Sequence, residues 1–304
     1  MGSMFFKMGC DIMNRSTMKE GIGDSDRRYT SLFGCNPKVC SIAWDLLNRY
    51  GLLPEGGREE HLMWTLLFLK TYKTENDLAV LLGGIDEKTL RKWVMLFVQS
   101  LAELEGVVVR TCVCEFCDLF ATFNTIFCHV QILLKNRYVA DDGRDCLMSI
   151  DCTDCKIHLD KGTSNKSVKR AFWSFKFRNS GLRYEVGVCI KSGYIVWLHG
   201  PFPCGRYNDI MIFRHCLSDS LDRGERVECD DGYRGEAPSQ CVVPKHAWTR
   251  NSAWAKQSGL VRARHEIINK RLKDYKCLKD FFVTLLLFTA YTFVPLLFSH
   301  SFLF

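Results

Sequence analysis

Apolar positions along this chain change their period twice. From Ser31 to Glu105 they recur every three or four residues, the spacing of helices packed by one face. Asn36-Pro37 predicts a helix start with proline in the first turn, leading into Val39-Cys40-Ser41-Ile42-Ala43-Trp44. Pro54-Glu55-Gly56-Gly57 breaks the pattern, and a second apolar helix is expected from Glu59 to Tyr72. Thr74 is placed to cap a short helix, Glu75 to Leu82, that stops at Gly83-Gly84. Asp86 is placed to cap a long one, Glu87 to Leu104, whose Leu90, Trp93, Val94, Phe97, Leu101 and Leu104 keep helical spacing. Helix, glycine turn, helix is the layout of a helix-turn-helix, with Lys88, Arg91 and Lys92 at the start of the second helix, where DNA base edges would be met. An ordinary helical hairpin is the competing reading. Residues 1–30, polar and without an apolar period, are expected to be a mobile leader.

From Cys146 to Cys229 the period drops towards two. Leu147–Asp151, Phe172–Arg178, Leu182–Ile190 and Tyr194–His199 read as strands, with turns at Asn179-Ser180-Gly181 and Ser192-Gly193. A helix, Ile210 to Leu217, follows Gly205-Arg206-Tyr207-Asn208-Asp209; Asp209 could itself cap that helix. A strand, Arg226 to Cys229, and a last helix around Arg262 to Lys273 complete the order. That order fits an α+β fold with a ribonuclease-H-like mixed sheet flanked by helices, preceded by an all-α helix-turn-helix domain. The expected division is a leader (1–30), the helical DNA-binding domain (31–109), a Cys-rich linker or insertion (110–145), the nuclease domain (146–280) and an apolar tail (281–304).

Charge sharpens the picture more than composition does. The net charge is +7, but it is unevenly spread: no acid stands between Asp160 and Glu185, where Lys161, Lys166, Lys169, Arg170, Lys176, Arg178 and Arg183 cluster. Such a run gives sequence-independent, salt-sensitive affinity for a polyanion. Sixteen cysteines with no secretory signal in front are expected to be reduced intracellular thiols, mostly buried. Cys112, Cys114, Cys117, Cys128 and His129 could hold zinc, but their spacing fits no standard pattern. Cys152 and Cys155 belong to one strand and should face opposite sides of it. The tail from Phe281 has no charged residue and the length of a bilayer span, yet Pro295 interrupts it, so a membrane role is not expected.

The candidate chemistry lies in three acids. Asp151 ends a strand, Asp230 follows a later strand, and Glu266 stands on the final helix. At about 100° per residue, Arg262, Glu266 and Lys273 share a helix face with Lys270 beside them, while Leu260, Val261, Ile267, Ile268 and Leu272 supply the apolar side. A few carboxylates plus water and substrate phosphate satisfy Mg²⁺, and a pair of such ions acts on phosphodiesters. Asp151 would bridge two ions of Mg²⁺ (or Mn²⁺), with Asp230 holding one and Glu266 the other. Asp209 would be an auxiliary ligand or else only the N-cap of the helix from Ile210, and Asp231 is the fallback should the register slip by one. Arg262, Lys270 and Lys273 would contact phosphates, as would Lys169, Arg170 and Lys176 from the basic run.

These residues together resemble Harbinger-type (PIF-like) DDE transposases and their domesticated nuclease relatives. The resemblance rests on Ser149-Ile150-Asp151-Cys152-Thr153-Asp154, Arg183-Tyr184-Glu185, Gly205-Arg206-Tyr207-Asn208-Asp209, Asp230-Asp231-Gly232-Tyr233 and the Arg262, Glu266, Lys273 spacing, and it covers roughly residues 31–109 and 146–279. Cys152 stands where the family often has glycine, and Gly259 where a longer signature has tyrosine. The resemblance implies an enzyme that cuts and joins double-stranded DNA at transposon ends in the nucleus, with the cytoplasm as the alternative compartment. It also brings in the family's separate Myb-like partner protein, and leaves self-association of this chain open. A catalytically inactive DNA-binding protein of the same descent is the alternative function. A membrane-anchored or zinc-binding protein with structural acids is a third.

Overall fold

The computed structural model describes residues 2–111, 138–139, 145–159, 166–190, 195–215, 217–221, 223–244 and 253–279. By internal contacts the chain forms two units, one taking residues up to Val108 and again from Leu272, the other Val109–Arg271. The cysteine and histidine cluster 112–129 and the apolar tail lie outside the described residues. Among the described residues, no helix is long and apolar enough to cross a membrane.

The first unit is helical: α1 Gly2–Ile12, α2 Gly23–Phe33, α3 Pro37–Arg49, α4 Glu59–Thr71, α5 Glu75–Leu81 and α6 Glu87–Thr111. Its caps follow the sequence. The Asn36 side chain accepts from Val39 N at 2.9 Å, Thr74 from Asp77 N at 3.2 Å, and Asp86 from Thr89 N at 2.9 Å. Each satisfies a backbone N–H that the first helical turn leaves open. His61 is buried against the Trp93 ring, with centroids 3.9 Å apart. Burial, with Arg58 and Lys92 nearby, pushes its pKa down to about 4.

The leader expected at 1–30 is instead two helices. Phe5, Phe6, Gly9 and Cys10 are the buried residues of α1, an i, i+1, i+4, i+5 stripe too narrow to register beside the polar residues around it. Gly9 lets the helices approach: a Cβ there would lie 2.3 Å from the Tyr29 ring of α2. At the other end of the chain, residues expected to close the nuclease domain belong to this helical unit. Tyr275, Cys277 and Leu278 are buried, and Lys70 of α4 sits 4.8 Å from the Tyr275 ring centroid.

The second unit is a mixed α+β structure whose mixed sheet is flanked by helices. Its strands are β1 Tyr138–Val139, β2 Asp145–Lys156, β3 Trp173–Ser174, β4 Asn179–Cys189, β5 Ile195–Pro203, β6 Arg226–Glu228 and β7 Cys241–Val242. Across the sheet the order is β5-β4-β2-β6-β7, with β3 and β1 pairing the ends of β4 and β2. The β5-β4-β2 half is antiparallel, and β6 and β7 run parallel to β2. The expected Phe172–Arg178 strand shrinks to Trp173–Ser174. The chain turns at 175–178, where Arg178 takes a positive φ of 51°, and Asn179 and Ser180 already belong to β4. An exposed Phe175 continued the sequence alternation past the true end of the strand.

Alternation along β2 assigns its two faces. Met148 and Ile150 pack into a core with Trp197, Phe213, Leu217, Val227 and Tyr233, so this face meets the helices Asp209–His215 and Leu217–Ser220. Ser149 and Asp151 face the other way, towards His265 and Asn269 of the helix Ala253–Lys273. Cys152 and Cys155 pair with Glu185 and Leu182, which puts the two thiols on opposite faces as alternation requires. The described cysteines are free thiols, most of them buried.

Gly9→Ala will lower the melting temperature despite alanine's higher helix propensity, because overfilling a packed core costs about 1–3 kcal/mol. Gly23→Ala, whose Cβ would meet nothing within 4 Å, will not. Thermal melts followed by circular dichroism check the pair, and equal melting temperatures would return residues 1–30 to the status of a leader.

Candidate active site

The site lies where the short parallel strand β6 runs out beside the longer β2. Ser149 is paired with Glu228, the last residue of β6. Two residues further along each strand come Asp151 and Asp230, so the register alone brings the two aspartates to one level. Asp230 leaves the sheet as the N-cap of a 3-10 turn, Asp231–Glu236, accepting from Gly232 N at 2.8 Å. Asp231 instead pairs with Arg234 at 3.3 Å, so Asp230 is the aspartate that faces the cleft. The cleft has a volume of about 300 Å³, and Asp151, Asp230, Asp209 and Glu266 all line it, with Lys176, Arg183, Arg262 and His265.

Asp209 arrives at the N-terminus of its helix, but it does not cap it. Asn208 does, accepting from Met211 N at 3.0 Å. Asp209 is thereby free to take the Arg183 guanidinium at 2.8 Å. Arg183 also holds Asp154 at 2.7 Å, and Asp154 accepts from Ser174 Oγ at 2.6 Å. Burial would raise the Asp154 carboxyl, but the Arg183 and Ser174 hydrogen bonds hold it below its ordinary pKa. The glycine opening this segment is required by a close approach: Gly205 N donates to Ala171 O at 2.9 Å, and a Cβ would lie 2.1 Å from Arg170 O.

Burial pushes the Asp151 carboxyl up to about 6, and repulsion from Asp230, Asp209 and Glu266 adds to it. Asp151 therefore lies within electrostatic reach of the other three acids. Asp151 is held in place by Cys152 N at 2.8 Å and by Asn269 Nδ2 at 3.0 Å. On the same helix His265 shares a 2.9 Å hydrogen bond with Ser149 Oγ, and burial lowers its pKa to about 4. Arg262, His265, Glu266 and Asn269 thus form one face, with Glu266 exposed at the cleft and Lys270 exposed beside it. His265 Nε2 and Asn269 Oδ1 are buried and find no hydrogen-bond partner among the described residues.

Below the acids lies a polar set that periodicity could not have flagged. Glu185 is fully buried on the Cys152 side of the sheet, accepting from Trp197 Nε1 at 2.9 Å and from Tyr233 OH at 3.5 Å. Burial pushes its carboxyl up to about 8. Tyr233 OH also meets Cys152 Sγ at 3.4 Å. In the helical unit Lys88, Arg91 and Lys92 are exposed at the start of α6, but Arg91 is engaged with Glu75 of α5, its Nε donating at 2.7 Å. Lys169, Arg170 and Lys176 are exposed, and Lys273 is half-buried.

Hard oxygen donors in a charged cleft suit a divalent cation. As the side chains stand, no three of His, Cys, Asp or Glu among the described residues converge on one point for an ion. Asp151, Asp230 and Asp209 each rest on a hydrogen bond instead, and a cation would have to draw the carboxylates in.

Asp151→Asn tests the repulsion. Because the folded pKa is raised, the favourable contribution of the protonated carboxyl is complete below about pH 4 and is lost as pH rises through about 6. The amide should therefore stabilise the protein by about 2 kcal/mol at pH 8 and by little at pH 4, with Asn269 turning its unpartnered Oδ1 to the new donor. Urea melts at both values check this; equal effects at the two would show that Asp151 feels no such crowding. In comparisons with known proteins, no family model, curated protein or solved structure matches this chain.

Proposed function

We propose that this chain is a metal-dependent DNA endonuclease of the DDE transposase type, cutting and joining phosphodiester bonds at transposon ends. The observation that carries the reading is the meeting of Asp151, Asp230 and Glu266, far apart in sequence, along one cleft edged by Arg262 and Lys176. The strand order β5-β4-β2-β6-β7, with one antiparallel and one parallel half, supports a ribonuclease-H-like core. The short helix α5, the glycine turn and α6 support a helix-turn-helix, in which exposed Lys88 and Lys92 reach DNA and Arg91 must first leave Glu75.

A pair of Mg²⁺ (or Mn²⁺) ions, when bound, supplies an activated nucleophile and stabilises the leaving oxygen of an in-line displacement. Asp151, Asp230 and Glu266 are the residues that would hold them. Arg183 keeps Asp209 neutralised, which makes that aspartate an auxiliary rather than a principal ligand. Asn269 orients the Asp151 carboxylate from the helix that also carries Glu266. Arg262, Lys270 and Lys273 follow one another along that helix and would hold backbone phosphates, as would exposed Lys169, Arg170 and Lys176. The nucleus is the compartment for such work, a Myb-like protein or a second copy of this chain being the partners to seek.

One observation favours a second reading, a transposase-derived DNA-binding protein without activity: the acids do not converge on a point as they stand. Nicking of supercoiled plasmid separates the two. The chain should relax plasmid DNA in Mg²⁺ or Mn²⁺ and not in EDTA, and Glu266→Gln should lose the activity by at least about 100-fold while still binding DNA. Binding without metal-dependent nicking would leave only the second reading. Affinity for duplex should also fall steeply with salt, and Lys176→Ala should reduce the slope of log affinity against log salt by about one. A slope unchanged by that substitution would remove Lys176 from the phosphate contacts.

A further inference from the structure

Phe175 is 85% exposed, the most open of the large apolar side chains described here. It sits in the turn between β3 and β4, and Trp173, two residues before it, is 39% exposed. The two neighbours of Phe175 are tied to the site instead. Ser174 is buried on Asp154, and Lys176 lines the cleft with the acids. The hairpin is therefore tied to the site through Ser174 and Lys176 and leaves Phe175 open to solvent at its tip. The fixing is rigid: Ser174, Asp154, Arg183 and Asp209 form a continuous line of hydrogen bonds and ion pairs from the hairpin to the acid cluster.

The surroundings state what such an aromatic would meet. Exposed Lys176 and Arg178 share the turn with Phe175, exposed Lys169 and Arg170 precede the hairpin in the chain, and Gly205, next to exposed Arg206, is bonded to Ala171 beside Arg170. An exposed ring within a cationic frame suits a partner that is both anionic and flat. A nucleobase displaced from its stack fits both demands, because each base has a π-face and its phosphate a charge. A fully paired duplex offers the phosphates without the face.

We propose that Phe175, supported by Trp173, stacks on an unpaired base of the DNA held in the acid cleft, so that the protein prefers strands unpaired beside the cut. This rests on the DNA-nuclease reading above and adds a residue to it. The ring takes no part in the bond-breaking step; it positions the strand that Lys176 and Arg262 hold by its phosphates.

The test is fluorescence anisotropy with the full chain in EDTA, using two labelled oligonucleotides of equal length: a paired duplex, and the same duplex with a short unpaired stretch at its centre. Stacking of one base predicts a preference of about 10-fold for the second. Phe175→Ala should bring the ratio close to one, with the loss confined to the unpaired substrate, and Phe175→Tyr should restore it. Circular dichroism should be unaltered, since the side chain is exposed. A ratio near one for the unaltered protein, or a ratio that survives Phe175→Ala, overturns the inference and leaves the nuclease reading standing. Binding of neither oligonucleotide overturns both. If Phe175→Ala instead changes the mass measured by light scattering and not the ratio, the hairpin is a contact between copies and the inference fails.

Discussion

The second unit depends on a balance of charge around Arg183. Four acids share the mouth of one cleft, and a carboxylate cluster left to itself repels. Arg183 bridges two carboxylates, Asp154 on the strand beside it and Asp209 on a separate helix. In doing so it joins the sheet to the helix that follows β5, and it leaves Asp151, Asp230 and Glu266 without so close a counter-charge. The raised Asp151 pKa is the remaining imbalance.

Much of this was legible in the sequence where local chemistry decides. Asn36, Thr74 and Asp86 cap helices because a short polar side chain before an apolar period has little else to do. Alternation put Cys152 and Cys155 on opposite faces, and Asp230 stands just after a strand as expected, whereas Asp151, expected to end its strand, lies within the longer β2. What stayed hidden depends on contacts between distant segments. Nothing local announces that His265 will meet Ser149, that Asn269 will hold Asp151, or that Glu185 will lie buried under Trp197 and Tyr233. Their one signal was position: His265 and Asn269 flank Glu266 at helical spacing, and Glu185 follows Arg183 at strand spacing.

Two of the expectations that failed did so for opposite reasons. The leader was misread because only a few residues of α1 are buried, and Gly9, which carries no side chain to count, makes the closest packing. The Phe172–Arg178 strand was over-read because its alternation is real but serves two purposes, a buried Ser174 and a solvent-facing Phe175. Alternation reports sides, not hydrogen-bonded partners.

The two-faced strand β2 also limits how this protein can change over time. Met148 and Ile150 fill the core on one side while Ser149 and Asp151 serve the acid cleft on the other. Loss or gain of a single codon before Asp151 would exchange the two sets at once, burying a carboxylate and exposing the core. Descendants of this gene can therefore vary the letters of that strand far more freely than its length.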